Sequence, residues 1–123
     1  MAIAFKATVP ILRIFDVDKA KEFYRDFLGF TVDWEHRFGD NFPLYCQVSR
    51  GDLKLHLSEH HGDATPGSTC FVYMSGVESL RDELHANDYR YMKPDVQLQE
   101  WGMKELHVTD PFGNRIRFGE PID

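Results

Sequence analysis

The sequence predicts an α+β fold built from two βαβββ modules. Short stretches alternate apolar and polar residues as strands do, two longer stretches carry an apolar stripe at helical spacing, and the order of these elements repeats after about 60 residues. A chain of 123 residues has the size of one ordinary domain. We therefore expect a single domain, with module one at about 1–60 and module two at about 66–123.

The first strand is predicted within "ATVPILRIF", residues 7–15. Leu12 and Ile14 fall on one side of an alternating pattern that has the period of a strand. Pro10 has no N–H to donate to a neighbouring strand, so it favours an edge or early-strand position. Module one is expected to begin here.

The first helix is predicted within "DVDKAKEFYRDFLG", residues 16–29. Asp16 is a suitable N-cap and Gly29 a suitable stop. The apolar residues of this stretch form one helical stripe, which must cover a sheet. They are Ala20, Phe23, Tyr24, Phe27 and Leu28.

Three strands complete module one. They are predicted within residues 30–37, 43–50 and 53–58, and a turn at 50–52 joins the last two. The first half of the chain therefore has the order βαβββ.

Module two begins with a strand in "TCFVYM", residues 69–74, and a helix in "GVESLRDELHAND", residues 76–88. Ser75 and Glu78 have the spacing of a capping box. The apolar stripe of the helix consists of Val77, Leu80 and Leu84. Three strands are then expected around "YRYMKP", "MKELHVTD" and "RIRFGE", which repeats the order of module one.

Composition excludes several classes of protein. Hydrophobic residues make up 42% and charged residues 28% of the chain, close to a globular average. No run approaches the roughly 20 apolar residues of a membrane helix, and the N-terminus lacks a basic leader with a cleavage site, so we expect a cytoplasmic protein. A net charge of −6 disfavours nucleic acid and anionic membranes as partners.

The two cysteines, Cys46 and Cys70, lie in apolar strand-like stretches without Cys-x-x-Cys or Cys/His spacing. Cysteine is among the residues most often buried. We therefore expect two buried free thiols.

Two segments together resemble one family. "PILRIFDVDKAKEFYRDFLGF" at residues 10–30 and "VTDPFGNRIRF" at residues 108–118 are similar to the opening and closing segments of the vicinal oxygen chelate superfamily, which includes glyoxalases, bleomycin resistance proteins and extradiol dioxygenases. The resemblance covers nearly the whole chain. It implies two modules that each curl into a half-barrel facing a cavity.

The metalloenzymes of this superfamily place ligands on four strands, and the resemblance maps those positions onto this chain. They are occupied by Val9, His56, Thr69 and Arg117. Valine cannot bind a metal, threonine is not a usual ligand there, and the fixed charge of arginine repels a cation. One imidazole is too few, so we expect no metal and no cofactor, and we expect His60 and His61 to be exposed loop residues.

Strand alternation predicts the lining of the cavity. If Arg117 faces the cavity, then so do Arg115, Glu105 and His107, while Leu106, Val108, Ile116 and Phe118 pack beneath the helices. The same rule directs Phe71, Tyr73, Lys54, His56 and Ser58 inward. The closing hairpin is therefore expected to present a polar face to a pocket.

The resemblance narrows to bleomycin resistance proteins. These carry paired aromatic residues at the positions of Phe71 and Tyr73, a Trp-Gly pair like Trp101–Gly102, and an aromatic residue near the position of Trp34. It implies a metal-free homodimer that sequesters an aromatic, cationic, bleomycin-like antibiotic in its clefts without chemistry. The expected ligand-binding residues are Trp34, Phe38, His56, Phe71, Tyr73, Trp101, Gly102, Glu105, His107 and Arg117.

Two alternatives stay open. The protein could be an enzyme of the superfamily, a lyase, isomerase or oxygenase, that uses His56, His107 and Glu105 as an acid–base set or holds a weak metal. It could also be an interaction dimer whose aromatic grooves form only the subunit interface. Arg115, Arg117 and Lys54 make the predicted cavity less acidic than a polycationic drug would require.

Overall fold

A computed structural model describes residues 2–123. No helix in that part of the chain is long and apolar enough to cross a membrane. The elements follow each other in the order β1 (Ile11–Arg13), α1 (Val17–Lys21), a π-helical segment (Glu22–Phe27), β2 (Thr31–His36), β3 (Tyr45–Arg50), β4 (Leu53–Ser58), β5 (Thr69–Tyr73), α2 (Val77–Ala86), β6 (Val96–Gln99), β7 (Met103–Thr109) and β8 (Arg115–Pro121).

The strands form two four-stranded sheets with the same internal order. The first sheet is ordered β1-β4-β3-β2 and the second β5-β8-β7-β6. In each sheet the opening strand pairs in parallel with the closing strand, and the remaining pairs are antiparallel. The predicted α+β fold with two βαβββ units is confirmed.

The first helix begins and ends where the sequence predicts. Asp16 Oδ1 accepts a hydrogen bond of 2.9 Å from the backbone N–H of Lys19, and Gly29 adopts a φ of 76° that favours glycine. The second half of the helix is π-helical, with a bond of 2.9 Å from the N–H of Leu28 to the carbonyl of Phe23, which the sequence pattern did not indicate. All five residues of the predicted apolar stripe are buried.

The predicted capping box of the second helix is wrong. The N-cap is Gly76, and the side chain of Glu120 accepts a bond of 3.1 Å from the N–H of Val77. Glu78 instead pairs with Lys104 at 2.8 Å. A carboxylate from the closing strand therefore caps this helix, because the fold brings β8 against its first turn.

The strand predicted at "YRYMKP" is also wrong. Residues 89–95 form no strand, and β6 after them is an edge strand of the second sheet, with Val96 opposite Leu106 and Gln99 opposite Met103. Pro94 cannot donate a ladder hydrogen bond. Tyr89 and Met92 are partly buried against the core. These side chains are therefore apolar because they pack on the core, although their segment pairs with no strand.

The two modules share one core. The inward residues of both sheets and both helices form a single cluster, which includes the predicted Leu106, Val108, Ile116 and Phe118. Tyr24 donates a buried hydrogen bond of 2.6 Å to Asp110 in the turn before β8. Burial and the neighbouring Asp110 carboxylate raise the pKa of Tyr24 well above its usual value, so the hydroxyl stays protonated and links the modules.

Both cysteines are free. Cys46 is buried as expected, and burial raises the pKa of its thiol to about 11. Cys70 is only half-buried, since β5 is an edge strand. Neither thiol is in the ionised form that reacts.

Candidate functional site

Each sheet has one face on the common core and one face turned away from it. We call the outer surface around Trp34, Tyr45, Gln47 and His56 the first-sheet face. The outer surface of the other sheet carries seven of the predicted site residues, and we call it the second-sheet face: Phe71, Tyr73, Trp101, Gly102, Glu105, His107 and Arg117.

A chain of side-chain hydrogen bonds crosses the first-sheet face. Gln47 Nε2 donates to Asp33 Oδ2 at 3.1 Å, Gln47 Oε1 lies 3.0 Å from His56 Nε2, and the Tyr45 hydroxyl lies 2.7 Å from His56 Nδ1. A carboxylate only accepts, so Asp33 fixes the amide orientation of Gln47. His56 Nε2 is therefore the donor nitrogen, and Nδ1 accepts from Tyr45.

Aromatic rings surround this chain. Trp34 stacks on Tyr45 with a centroid distance of 6.0 Å and meets His56 edge-on at 5.4 Å. An adjoining pocket of about 370 Å³ is lined by Trp34, His36, Phe38, Tyr45, His60 and Asp63. Trp34 and Phe38 are exposed, so neither is a core residue in the single chain.

His60 differs from its predicted place on the surface. It is half-buried and lies 6.0 Å from the ring of Phe38, because the loop after β4 folds back over the first sheet. His61 is exposed, as expected for a loop residue.

A buried carboxylate organises the second-sheet face. Glu105 is 0% exposed. Its Oε1 accepts a bond of 2.8 Å from Arg117 Nη2 and lies 2.8 Å from His107 Nε2, while its Oε2 accepts a bond of 3.1 Å from Trp101 Nε1. All three donors were predicted site residues, and the fold brings them onto one carboxylate.

These contacts set the protonation of the cluster. Desolvation raises the pKa of Glu105, but the hydrogen bonds from His107, Arg117 and Trp101 outweigh it, so the pKa is lowered overall. Since the ionised carboxylate only accepts, His107 Nε2 is the donor. Arg117 Nε, 3.2 Å from that nitrogen, is also a donor, so we read this contact as proximity. The acceptor nitrogen of His107 is Nδ1.

Phe71 and Tyr73 form an aromatic pair beside this cluster. Their ring centroids are 4.9 Å apart, and the residues are 40% and 76% exposed. Gly119 lies beneath Phe71, and a Cβ at this glycine would stand 2.4 Å from Phe71 Cζ. The absence of a side chain at Gly119 therefore allows Phe71 to lie flat on the sheet.

Trp101 stands in the tight turn between β6 and β7. The N–H of Gly102 bonds to the carbonyl of Gln99 at 3.1 Å, and Gly102 has a φ of 84°, a conformation that glycine adopts without strain. This turn carries the indole back over Glu105. Trp101 is nevertheless 64% exposed, so much of its ring faces solvent.

A single chain does not bring all the predicted site residues onto one surface. Trp34, Phe38 and His56 lie on the first-sheet face, apart from the other seven predicted residues, and no hydrogen bond or ring pair within residues 2–123 joins the two faces. One core, to which both sheets and both helices contribute, lies on the inner side of each sheet. The acid–base set of His56, His107 and Glu105 is therefore not assembled in a single chain.

The four positions that correspond to metal ligands are also dispersed. Val9 is half-buried, Thr69 is exposed, and both nitrogens of His56 are engaged by Tyr45 and Gln47. In the described part of the chain, no three His, Cys, Asp or Glu side chains come together as a group that could hold a metal ion. The residues do not fit the metal of the superfamily's enzymes.

A separate cleft of about 500 Å³ lies between α2 and the β3–β4 turn. Its lining is mainly apolar, and at its rim Arg50 binds Glu83 through both terminal nitrogens at 2.7 and 2.8 Å. The other polar lining residues are Asp52, Ser75 and Ser79. Of the predicted site residues only Tyr73 reaches this cleft, so the two faces remain the candidates.

Sequence reasoning missed Tyr45, Gln47 and Gly119. Alternation along β3 places Tyr45 and Gln47 on the same side of the sheet, opposite the buried Cys46 and Val48, so the pattern contained this signal. Gly119 carries no chemical group, and only the position of Phe71 reveals its role.

The chain is similar to known proteins along its whole length. A family model described as glyoxalase superfamily protein matches residues 1–123. The bleomycin resistance protein of Geobacillus stearothermophilus is 26% identical over 133 residues, which cover 94% of this chain and 96% of the relative. A bleomycin resistance protein of Staphylococcus aureus gives the same values.

Two solved structures also match this chain over nearly its whole length. A bleomycin-binding protein from bleomycin-producing Streptomyces verticillus, complexed with copper(II)-bleomycin, is 31% identical with a TM-score of 0.68, and the match covers 95% of this chain and 97% of that one. The bleomycin resistance determinant encoded on the transposon Tn5 is 22% identical with a TM-score of 0.74, over 95% and 98%. Since the family match spans the whole sequence, this chain belongs to the glyoxalase superfamily, and bleomycin resistance proteins are among its relatives.

Proposed function

We propose that this chain is a single-domain, cytoplasmic binding protein of the bleomycin-resistance type. It sequesters an aromatic, drug-like molecule in the clefts of a homodimer and carries out no chemistry on it. The observation that carries this proposal is that both outer sheet faces present exposed aromatic rings held by hydrogen-bonded polar groups, with Trp34 on one face and Trp101 on the other. The relatives that bind bleomycin support it.

The two faces support a two-fold dimer. Both point away from the shared core, so a closed cleft needs a second copy of the chain. In a two-fold arrangement, the first-sheet face of one protomer covers the second-sheet face of its partner, and two equal clefts result. The exposed apolar side chains of Ile3, Phe5 and Leu98 give such a partner further surface to bury.

The proposed ligand is planar, with a cationic part near the first-sheet face. Asp33 and Asp63 outnumber Lys54 around that face. Stacking on an aromatic ring adds about 0.5–1.5 kcal/mol beyond the buried area. The net charge of −6 supports a small molecule rather than nucleic acid as partner.

The test uses the two tryptophans as separate reporters. Trp34→Phe leaves Trp101 as the emitter, and Trp101→Phe leaves Trp34. Titration with metal-free bleomycin should quench both variants at the same ligand concentration if the two faces form one cleft. Unchanged fluorescence in both variants, together with no heat of binding by calorimetry, would show that bleomycin is not a ligand.

The dimer has its own measurement. Sedimentation equilibrium at micromolar concentration should give twice the chain mass of 14.3 kDa. A stable monomer would contradict the proposal that the ligand binds in clefts between two protomers. A dimer that binds no aromatic compound would favour the alternative in which the aromatic faces form only a subunit interface.

One observation favours an enzyme as the second candidate. Glu105 accepts a hydrogen bond from His107 Nε2 at 2.8 Å, and Arg117 Nε lies 3.2 Å from the same nitrogen. Nδ1 of His107 has no hydrogen-bond partner within residues 2–123, so it is the nitrogen suited to proton abstraction. Turnover of a small metabolite that is lost in His107→Gln would support this candidate. Near-stoichiometric zinc, nickel, iron or manganese by elemental analysis would support a metalloenzyme and contradict the metal-free proposal.

A further inference from the structure

The second-sheet face is a cationic region in an acidic protein. Arg115 and Arg117 lie on the same side of β8, since Ile116 between them is buried. Glu105 is the carboxylate that contacts Arg117, and no carboxylate within residues 2–123 forms an ion pair with Arg115. The positive charge of the two arginines therefore exceeds the negative charge of the glutamate beside them, although the whole chain carries a net charge of −6.

The carboxylate of Glu105 is not available to a ligand. It is fully buried, and both of its oxygens already accept hydrogen bonds. A cationic group that approached this face would meet two guanidinium groups and no free acceptor oxygen from Glu105. The negative charge of Glu105 serves to hold its neighbours in place.

The hydrogen bond to Glu105 anchors the guanidinium of Arg117. Its Nη2 donates to Glu105 Oε1 at 2.8 Å, while its Nε lies 3.2 Å from His107 without a bond. Within the described residues, Nη1 makes no hydrogen bond or ion pair, and the side chain is 35% exposed. A planar guanidinium that is fixed on one edge can offer its other edge to an anionic oxygen.

An aromatic surface lies on the other side of the same carboxylate. Trp101 Nε1 and Arg117 Nη2 bind the two oxygens of the same carboxylate, at 3.1 and 2.8 Å. The exposed indole and the guanidinium are thus neighbours separated by one carboxyl group. This spacing suits a ligand in which an anionic group is attached directly to an aromatic ring.

We propose that the ligand of this protein carries an anionic oxygen group, a carboxylate, phosphate or sulfonate, which Arg117 and Arg115 bind while Trp101 holds the attached ring. This inference rests on the proposed binding function and specifies its ligand as an aromatic anion at the second-sheet face. A cationic part of the same molecule lies toward the first-sheet face.

The test compares three naphthalene probes of nearly equal size on the full chain. They are naphthalene-2-sulfonate, naphthalene-2-methanol and naphthalen-2-ylmethylammonium, and calorimetry measures their dissociation constants at low and high salt. The sulfonate should bind at least about tenfold more tightly than the alcohol, and the ammonium most weakly. The preference should shrink as salt rises.

Substitutions at the arginines test whether they cause the preference for the sulfonate. Arg115→Gln should weaken sulfonate binding about threefold to tenfold and leave the alcohol unchanged. Because Arg117→Gln alone would leave Glu105 buried without its cation, the double variant Glu105→Gln/Arg117→Gln is the appropriate test, and it should abolish the sulfonate preference. Arg90→Gln is the matched control, because Arg90 lies over Tyr91 away from this face.

The outcomes separate this inference from the proposed function. If the alcohol and the ammonium bind as tightly as the sulfonate, or if the preference survives in both arginine variants, the anion site is wrong and the binding function stands. If neither bleomycin nor any naphthalene probe binds, both proposals are overturned.

Discussion

The two outer faces occupy equivalent positions in sheets of identical strand order, yet their polar chemistry differs. On the first-sheet face, two neutral groups, the amide of Gln47 and the hydroxyl of Tyr45, hold His56. The only charged member of this series of hydrogen bonds is Asp33, which binds Gln47. On the second-sheet face, a buried carboxylate binds an arginine, a histidine and a tryptophan at once. The βαβββ scaffold therefore does not dictate the chemistry of its outer face.

Because of this difference, we expect the two faces to respond differently to substitutions that remove a hydrogen-bond partner. Neutral hydrogen bonds near the surface can exchange partners with water at small cost. A buried carboxylate that loses its donors, or donors that lose their carboxylate, leave uncompensated charge. The second-sheet face is thus the more rigid and the more sensitive of the two.

The largest expected effect concerns stability. Glu105→Ala should lower the free energy of unfolding by about 2–4 kcal/mol, because Arg117, His107 and Trp101 lose their common acceptor. The matched change Gln47→Ala should cost about 1 kcal/mol, since the groups it frees reach water. Urea denaturation of both variants checks this, and equal losses would remove the contrast between the faces.

The second prediction concerns affinity. Trp101→Ala should weaken binding of an aromatic ligand by about 1–3 kcal/mol while the fold stays intact. Trp34→Ala should weaken it less, because Trp34 is 43% exposed and rests on Tyr45 and His56, whereas Trp101 is 64% exposed. Calorimetry gives the affinities, and circular dichroism confirms folding. Loss of folding in Trp101→Ala would show that this tryptophan is structural.

The third prediction tests the support beneath Phe71. Gly119→Ala should force the Phe71 ring and the end of Met103 aside, since the new Cβ would lie 2.4 and 2.8 Å from them. Both are side-chain ends that can move, so stability should fall by only about 1 kcal/mol, while ligand affinity falls about tenfold. Ser79→Ala, at an exposed position of α2 away from both faces, is the control and should leave affinity unchanged.

The smallest expected effect is the pH dependence of stability. The pKa of Glu105 is lowered in the folded protein, so its contribution is fully present above the unfolded-state pKa of about 4.3 and is lost as pH falls through the lower folded value. Glu105→Gln should therefore flatten the stability curve on the acid side of pH 4.3 relative to the parent. Thermal unfolding between pH 3 and 7 measures it, and parallel curves would show that Glu105 is not the linked group.

Local patterns predicted most of the fold. The apolar stripe around Phe23 and Phe27, the cap at Asp16 and the alternation of Leu106 with Val108 depend on neighbours within a few residues, and all were correct. The strand at residues 89–94 was predicted wrongly because Tyr89 and Met92 pack on the core without pairing. The cap of α2 was missed because Glu120 lies 43 residues away from Val77 in the chain.

The sequence by itself determined the α+β class, the order of the elements, the family, and the sides of β7 and β8 on which Glu105, His107 and Arg117 lie, because periodicity and short motifs are local properties. Tertiary structure alone decided that Trp101, His107 and Arg117 share the carboxylate of Glu105, that Gly119 makes room for Phe71, and that Trp34 and His56 lie on a different surface. Those relations depend on strand register and on the packing of both sheets around a single core. This packing brings residues that are far apart in the chain within hydrogen-bond distance. It also separates residues that the alternation pattern had assigned to one cavity.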